Sequence, residues 1–402
     1  MYSRLVILAA ISLALTSAPA HAQQAPAPLS APYQAIDARM QQLPDSTARS
    51  VDGVARYIKA AFATDDDRAW AALAWTTRHI RYDLDGVSTA DFAYEAGEVV
   101  QQALSTRVGT PAAYAEVYAA LANQLGLKTY VVSGQAQRAA ERGGPPFHFW
   151  CATRLGGQWY LLDPAWAAGY LANGAFVPQL SSTYFKVAPA EFVRTHLPFD
   201  PLWQLLPTPY SPQQFQQGKV PAPLAQPWAV ADSVAAYERL SVVGQLRSAS
   251  RRARQALRTS LTELYLSGNE RYEQNYYVTE HNRMLAAYNE AQQHAQQAIA
   301  QLNAFLAYYN HQFQPRKTDA QLRQLLAPIG ADFQRARTLL STIQFREETR
   351  QATVRELTAA VQSGEARLRK SQAFLTRYLG TAPAQRPVLF TTKDAARNEM
   401  LR

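Results

Sequence analysis

The hydrophobic period of the chain changes after Gly126, and this change restricts the fold more than any other feature. Residues 111–124 place apolar side chains at the three-to-four spacing of an amphipathic helix. Three stretches that follow are rich in β-branched and aromatic residues, which is typical of strands. They are residues 128–135, 147–155 and 158–162. Gly156-Gly157 indicates a hairpin turn between the last two. A helix followed by antiparallel strands predicts an α+β domain.

The second half of the chain returns to the helical period and keeps it. From Leu285 to Tyr309 the apolar residues follow one another at steps of three and four, which predicts one long amphipathic helix. A second stripe of this kind runs from Val354 to Tyr378. Pro315 and Pro328 are expected to break the helices between the two stripes. The sequence therefore predicts an all-α hairpin or bundle domain after the α+β domain.

The first 22 residues have the pattern of a secretory signal peptide. Arg4 supplies the positive charge, Leu5 to Leu15 form an apolar run, and Ala20-His21-Ala22 fits a cleavage site. We therefore expect an exported protein, periplasmic or secreted, with no transmembrane segment. The expected organisation is a signal peptide (1–22), a linker (23–33), the α+β domain (34–206), a proline-rich linker (207–228) and a basic helical domain (229–402).

The net positive charge of the chain lies in its second half. Residues 1–227 carry 16 Lys and Arg against 16 Asp and Glu, while residues 228–402 carry 24 against 15. The basic half is consistent with an anionic envelope polymer as partner, or with a solvated helix surface that keeps the protein soluble. We expect no nucleic-acid partner and no cofactor. Cys151 is the single cysteine, which excludes an intrachain disulfide and a metal site with several Cys ligands.

Three segments of the α+β domain stand in an order that carries a resemblance. They are RVGTPAAYAEVYAALANQLGL (107–127), FHFW (147–150) and GGQWYLLDPAW (156–166). Together with flanking stretches at 69–83 and 184–206, they resemble the transglutaminase-like (papain-like cysteine protease) superfamily, and within it the bacterial branch related to kyphoscoliosis peptidase. The resemblance covers roughly residues 50–206 and implies a papain-like core with helices packed on an antiparallel sheet.

The resemblance implies a Cys–His–Asp triad in which a thiolate attacks a carboxamide or peptide carbonyl. In this sequence His148 matches the family His and Asp163 matches the family Asp. The Cys position falls on Pro111, because Gly109 precedes it by two residues and Tyr114 follows it by three. Proline has no side-chain nucleophile, whereas it is favoured at the first position of a helix. The resemblance therefore implies a triad that has lost its attacking group.

Two other residues come into question as a replacement nucleophile. Thr110 has a hydroxyl one residue before Pro111, but we expect it to cap the helix. Cys151 lies three residues after His148, so strand alternation predicts that it points to the opposite face. Trp150 and Trp166 are candidates for the cleft, and their alternative interpretation is as core residues.

Three functions remain open from the sequence. The first is a non-catalytic module that binds a peptide, a protein or an anionic envelope polymer. The second is an active hydrolase or acyltransferase with a non-standard nucleophile such as Thr110. The third is a structural protein whose helical half mediates association.

Overall fold

The computed structural model describes residues 29–86, 94–137, 147–172, 174–256 and 259–391. The expected signal peptide lies outside these residues. The chain divides into two units, Met1–Glu273 and Gln274–Arg402. Among the described helices, none combines the length and the apolar character that crossing a membrane requires.

The strands all belong to the first unit. They are β1 Arg81–Tyr82, β2 Val108–Gly109, β3 Thr129–Ala136, β4 Phe147–Leu155, β5 Gln158–Leu162, β6 Gly169–Ala172, β7 Ala175–Pro178 and β8 His196–Pro198. The main sheet is antiparallel, with the order β5-β4-β3-β8. Gly156 and Gly157 have φ values of 55° and 83° in the turn that joins β4 to β5, which only glycine adopts readily. The three predicted strands and their turn are confirmed.

Ten described helices lie wholly within the first unit. They are α1 Ala31–Met40, α2 Val51–Ala61, α3 Asp65–His79, α4 Ala96–Thr106, α5 Pro111–Gln124, α6 Pro164–Ala168, α7 Pro189–Phe192, α8 Pro212–Gln216, α9 Val230–Glu238 and α10 Val242–Ala256. Short 3-10 turns occur at Thr47–Arg49 and Pro201–Gln204. Helix α1 includes residues 31–33, the last three of the stretch expected to be a linker. The ring of its Tyr33 stacks on Trp70, with 4.2 Å between the ring centroids.

Helix α5 packs against β3 and β4 and forms the centre of the first core. Its Tyr114, Tyr118 and Leu121 are fully buried. Because side chains alternate along a strand, Phe149 and Cys151 share the α5 cluster, whereas Trp150 belongs to the apolar cluster of the opposite face. The sheet is therefore covered on both faces, in agreement with the predicted α+β architecture.

Residues that follow the expected proline-rich linker still pack in the first unit. Arg252 on α10 donates two hydrogen bonds to Asp200, at 2.7 and 2.6 Å. Within the linker itself, Phe215 of α8 is buried against Val193 and Leu197. The domain boundaries inferred from composition remain a prediction, and the contacts of these residues group them with the sheet.

The second unit is helical in its described part, as the two stripes predict. Its helices are the C-terminal part of α11 Ser260–Asn310, then α12 Asp319–Gln324, α13 Ala327–Leu340, α14 Glu348–Gly380 and α15 Val388–Thr391. Helices α11, α13 and α14 bury Leu302, Phe333 and Val361 in one core. Pro315 follows the end of α11, and Pro328 lies in the first turn of α13, after α12 has ended at Gln324. Both prolines therefore stand at interruptions between helices, as predicted.

Candidate functional site

The N-terminus of α5 is a closely packed strand-to-helix turn. β2 pairs with β1 and leads through Thr110 into the helix, which begins at Pro111. A Cβ on Gly109 would lie 2.7 Å from the Cβ of Ala113, so a side chain there would displace the first turn. Thr110 has the extended conformation of an N-cap residue, but its side chain makes no capping hydrogen bond. The capping role expected for the Thr110 hydroxyl is therefore wrong.

His148 and Asp163 form a buried hydrogen-bonded pair. The Nε2 atom of His148 lies 2.7 Å from Oδ2 of Asp163, and the two side chains are 3% and 0% exposed. Asp163 follows β5 and caps α6, since its Oδ1 accepts a hydrogen bond from the Trp166 backbone N–H at 3.0 Å. This cap fixes the carboxylate, and the carboxylate in turn fixes the imidazole. Because Nε2 is engaged, Nδ1 of His148 is the ring nitrogen that remains for exchanging a proton.

His196 is a third member of the site, which the sequence did not reveal. Its Nε2 lies 3.2 Å from the same Oδ2 of Asp163, and its Nδ1 lies 2.8 Å from the Thr195 hydroxyl. The ring stacks on Phe192 with 4.1 Å between centroids. β8 carries His196 to Asp163 by pairing with β3, a contact between segments distant along the chain. In the sequence, His196 is marked only by its place in the stretch 184–206, which flanks the motifs of the family resemblance.

The two imidazoles hold Asp163 in its charged form. Burial raises the pKa of this carboxyl, but the interaction with His148 and the hydrogen bonds from both rings outweigh burial and keep the pKa well below its ordinary range. Burial lowers the pKa of His196 to about 4, although Asp163 opposes the shift. His196 is thus neutral at neutral pH and donates its Nε2 hydrogen to the carboxylate.

The same three side chains have the composition of a metal site, so their geometry requires a test. One ligand atom from each of His148, Asp163 and His196 lies within 4.8 Å of the others. Both Nε2 atoms, however, are within hydrogen-bond distance of one carboxylate oxygen, which α6 holds in place. The imidazoles converge on that oxygen and not on an empty point between three ligands. The arrangement is a hydrogen-bonded triad and supports no metal assignment.

The remaining candidates lie at different distances from this triad. Trp166 is half-buried, with its ring centroid 5.3 Å from His148 and 4.5 Å from His196. Trp150 is fully buried, and its ring meets His196 edge-on at 5.1 Å. Trp166 therefore lies beside the paired imidazoles, whereas Trp150 supports His196 from within the core.

Cys151 points away from His148, as strand alternation predicts. Its thiol donates to the carbonyl oxygen of Ala115 on α5 at 3.3 Å, and the side chain is fully buried. Burial raises the pKa of this thiol well above its ordinary value. The geometry and the electrostatics both favour the inert thiol form over a nucleophilic thiolate.

Comparisons with known proteins agree with the motifs. Residues 52–164 match the model of the Transglutaminase-like superfamily. Human kyphoscoliosis peptidase is 29% identical over 161 residues, and the mouse protein of that name is 28% identical over 161 residues. Each alignment covers 38% of this chain and 24% of the relative, so the chain spans about a quarter of the length of these relatives. A crystal structure of a TGase matches 38% of this chain and 36% of its own, with 20% identity and a TM-score of 0.24.

Proposed function

Because the chain carries a domain of the transglutaminase-like superfamily at residues 52–164, we propose that this domain is catalytically degenerate and serves to bind. One observation carries the proposal. Helix α5 begins with Pro111 at the position of the family nucleophile, while the His148–Asp163 pair stands at 2.7 Å. The proton-transfer half of the triad is assembled, and the residue that would start the reaction has no nucleophilic atom.

The proposed ligand is a peptide or protein segment, because a cleft of this family receives a polypeptide carboxamide. Trp166, half-buried beside His148, offers an apolar ring for such a segment. We place the protein outside the cytoplasm, in the cell envelope, on the strength of its first 22 residues. Binding here is recognition without bond cleavage.

Restoring the nucleophile tests this proposal. In Pro111→Cys the new thiol stands at a helix N-terminus, where the helix dipole stabilises a thiolate. We expect iodoacetamide to label this variant at pH 6 at least tenfold faster than the wild type, whose Cys151 is buried. Adding His148→Ala should return the rate to that of an ordinary thiol. Mass spectrometry of the labelled peptide identifies the cysteine.

The matched control is Thr110→Cys, which places a thiol one residue earlier on the same turn. It should react at the rate of an ordinary exposed thiol, with no dependence on His148. If Pro111→Cys folds and its thiol shows no His148-dependent reactivity, then the geometry of the triad is not retained and the proposal fails.

The Thr110 hydroxyl favours a second candidate function. It makes no capping hydrogen bond although it precedes the helix. A hydrolase that used Thr110 as nucleophile would lose turnover of a glutamine peptide in Thr110→Ala and retain part of it in Thr110→Ser. We expect that the wild type does not turn this peptide over. The rate should therefore be the same in the wild type and in both variants.

A further inference from the structure

A second cavity of the first unit is lined by residues 131–133 of β3, which precede the part of that strand that pairs with β8. Its volume is about 280 Å³. The walls include Tyr94, Glu116, Val131, Trp203, Tyr237 and Tyr265. Phe149 also lines it, whereas the neighbouring His148 points to the other face of β4. We call this the tyrosine cavity, and it is distinct from the His148–Asp163–His196 triad.

Glu116 gives the tyrosine cavity an uncompensated acidic group. The Tyr94 hydroxyl donates to its Oε1 at 2.9 Å, and among the described residues no Lys, Arg or His lies within 4.0 Å of the carboxylate. Burial raises the pKa of Glu116, because the charged form loses solvation without gaining a cation. A carboxylate in this position is costly unless a positive charge joins it.

Asp200, the other carboxylate of the cavity, shows the contrasting case. Arg252 binds both of its oxygens, at 2.7 and 2.6 Å, and the Leu202 backbone N–H donates to Oδ1 at 3.1 Å. Asp200 is therefore neutralised from within the chain. Among the described residues that line the cavity, Glu116 is the carboxylate that has a hydrogen-bond donor but no cation partner.

The edge of β3 that faces away from β4 adds a backbone acceptor to the same cavity. The Asn123 side chain pairs with the backbone of Thr129 at one end of this edge, with distances of 3.0 and 2.9 Å. The Phe199 N–H donates to the Ser133 carbonyl oxygen at the other end, at 3.0 Å. Val131 lies midway between them, and by strand alternation its N–H and C=O point to the same edge. Its carbonyl thus faces the side of β3 on which the cavity lies.

We propose that the tyrosine cavity binds a small organic ammonium ion, with Glu116 as its counter-ion. The carboxylate supplies the charge, the Val131 carbonyl supplies a second acceptor for the N–H groups, and the rings of Trp203, Tyr237 and Tyr265 supply the apolar wall. Aromatic walls with one carboxylate suit organic cations, since the ring faces carry partial negative charge. The site is independent of the proposed degenerate function, because it uses no residue of the triad.

The test uses the full-length protein and three probes of equal chain length. Butylammonium, butanol and butyrate are titrated at pH 7 by calorimetry, with the change in the protein's tryptophan fluorescence as a second readout, since Trp203 lines the cavity. We expect butylammonium to bind at least tenfold more tightly than butanol, and butyrate not to bind. Equal binding of butanol and butylammonium would overturn the proposal, and so would a lack of butylammonium binding.

A charge-neutral variant locates the site. Glu116→Gln should weaken butylammonium binding at least tenfold and should keep or raise the melting temperature of the ligand-free protein, because it removes a partly buried charge that has no cation partner among the described residues. Glu98→Gln, at an exposed position of α4, is the matched control and should leave binding unchanged. Unchanged affinity in Glu116→Gln would refute the role of this carboxylate. If that variant fails to fold, the comparison of the three probes on the wild type still tests whether the cavity binds an ammonium ion.

Discussion

At the scale of single residues, the site consists of a proline at the start of α5 and three hydrogen-bonded side chains. Pro111 at the start of α5 offers neither a side-chain nucleophile nor a backbone N–H. Asp163 remains charged between two imidazoles, and both rings donate to the same oxygen. His196 therefore positions Asp163, which in turn positions His148.

Because of these contacts, the free energy of unfolding of the domain depends on pH in two separate pH ranges. The pKa of His196 falls from 6.5 in the unfolded chain to about 4 in the fold. Between these values the unfolded state binds more protons, so the free energy of unfolding decreases as the pH falls from 6.5 toward 4. The lowered pKa of Asp163 adds a further loss below its ordinary value of 3.8.

We predict that His196→Asn removes the first of these losses. The free energy of unfolding of the wild type, measured with urea, should fall by up to about 1.4 kcal/mol per pH unit between pH 6 and pH 5 because of His196. The variant should be less stable at pH 7, because it loses contacts with Phe192 and Asp163, but its stability should depend less on pH. The same pH dependence in both proteins would show that His196 is not the group that titrates.

At the scale of helices and strands, the sequence patterns predicted those elements that are determined by interactions between residues close together in the chain. β4 and β5 have the predicted bounds, because alternation and the glycine pair act within a few residues. Helix α3 begins after Thr64, whose hydroxyl accepts a hydrogen bond from the Asp67 N–H at 3.1 Å, an interaction between residues three apart in the chain. β8 has three residues and is defined by pairing with β3, so no local pattern marks it, and His196 was missed for that reason.

Two threonines at the same position of two helices give a matched prediction. Thr64 caps α3 through its hydroxyl, whereas Thr110 precedes α5 without such a bond. Thr64→Ala should therefore cost about 1 kcal/mol of stability, and Thr110→Ala less than about half of that. Thermal unfolding of both variants measures the difference. An equal loss in the two variants would mean that the Thr110 hydroxyl does cap its helix.

At the scale of the whole molecule, the chain has two units with separate hydrophobic cores. The first is built around α5 and the sheet, and the second around α11, α13 and α14. The composition and the helical periods predicted this succession of an α+β part and a helical part. They did not predict that α9 and α10 belong with the sheet, because the Arg252–Asp200 pair and similar contacts join segments far apart in sequence.

Substitution in one core should therefore act mainly within its own unit. Phe333 is fully buried in the second core, and Phe333→Ala should cost about 3–5 kcal/mol there. Hydrogen exchange should accelerate in α13 and α14 and remain unchanged in β3 and β4. Gly134→Ala is the reciprocal control, since its Cβ would lie 2.1 Å from the Leu197 carbonyl oxygen in the first unit. Equal acceleration in both units would contradict separate cores.

The central claim is that the transglutaminase-like domain has retained its His–Asp pair and lost its chemistry. The most direct measurement is ammonia release and peptide cleavage by the purified wild type with a glutamine-containing peptide, compared with His148→Ala. The account predicts that neither protein turns the peptide over and that the wild type still binds it. Turnover by the wild type that His148→Ala abolishes would contradict it.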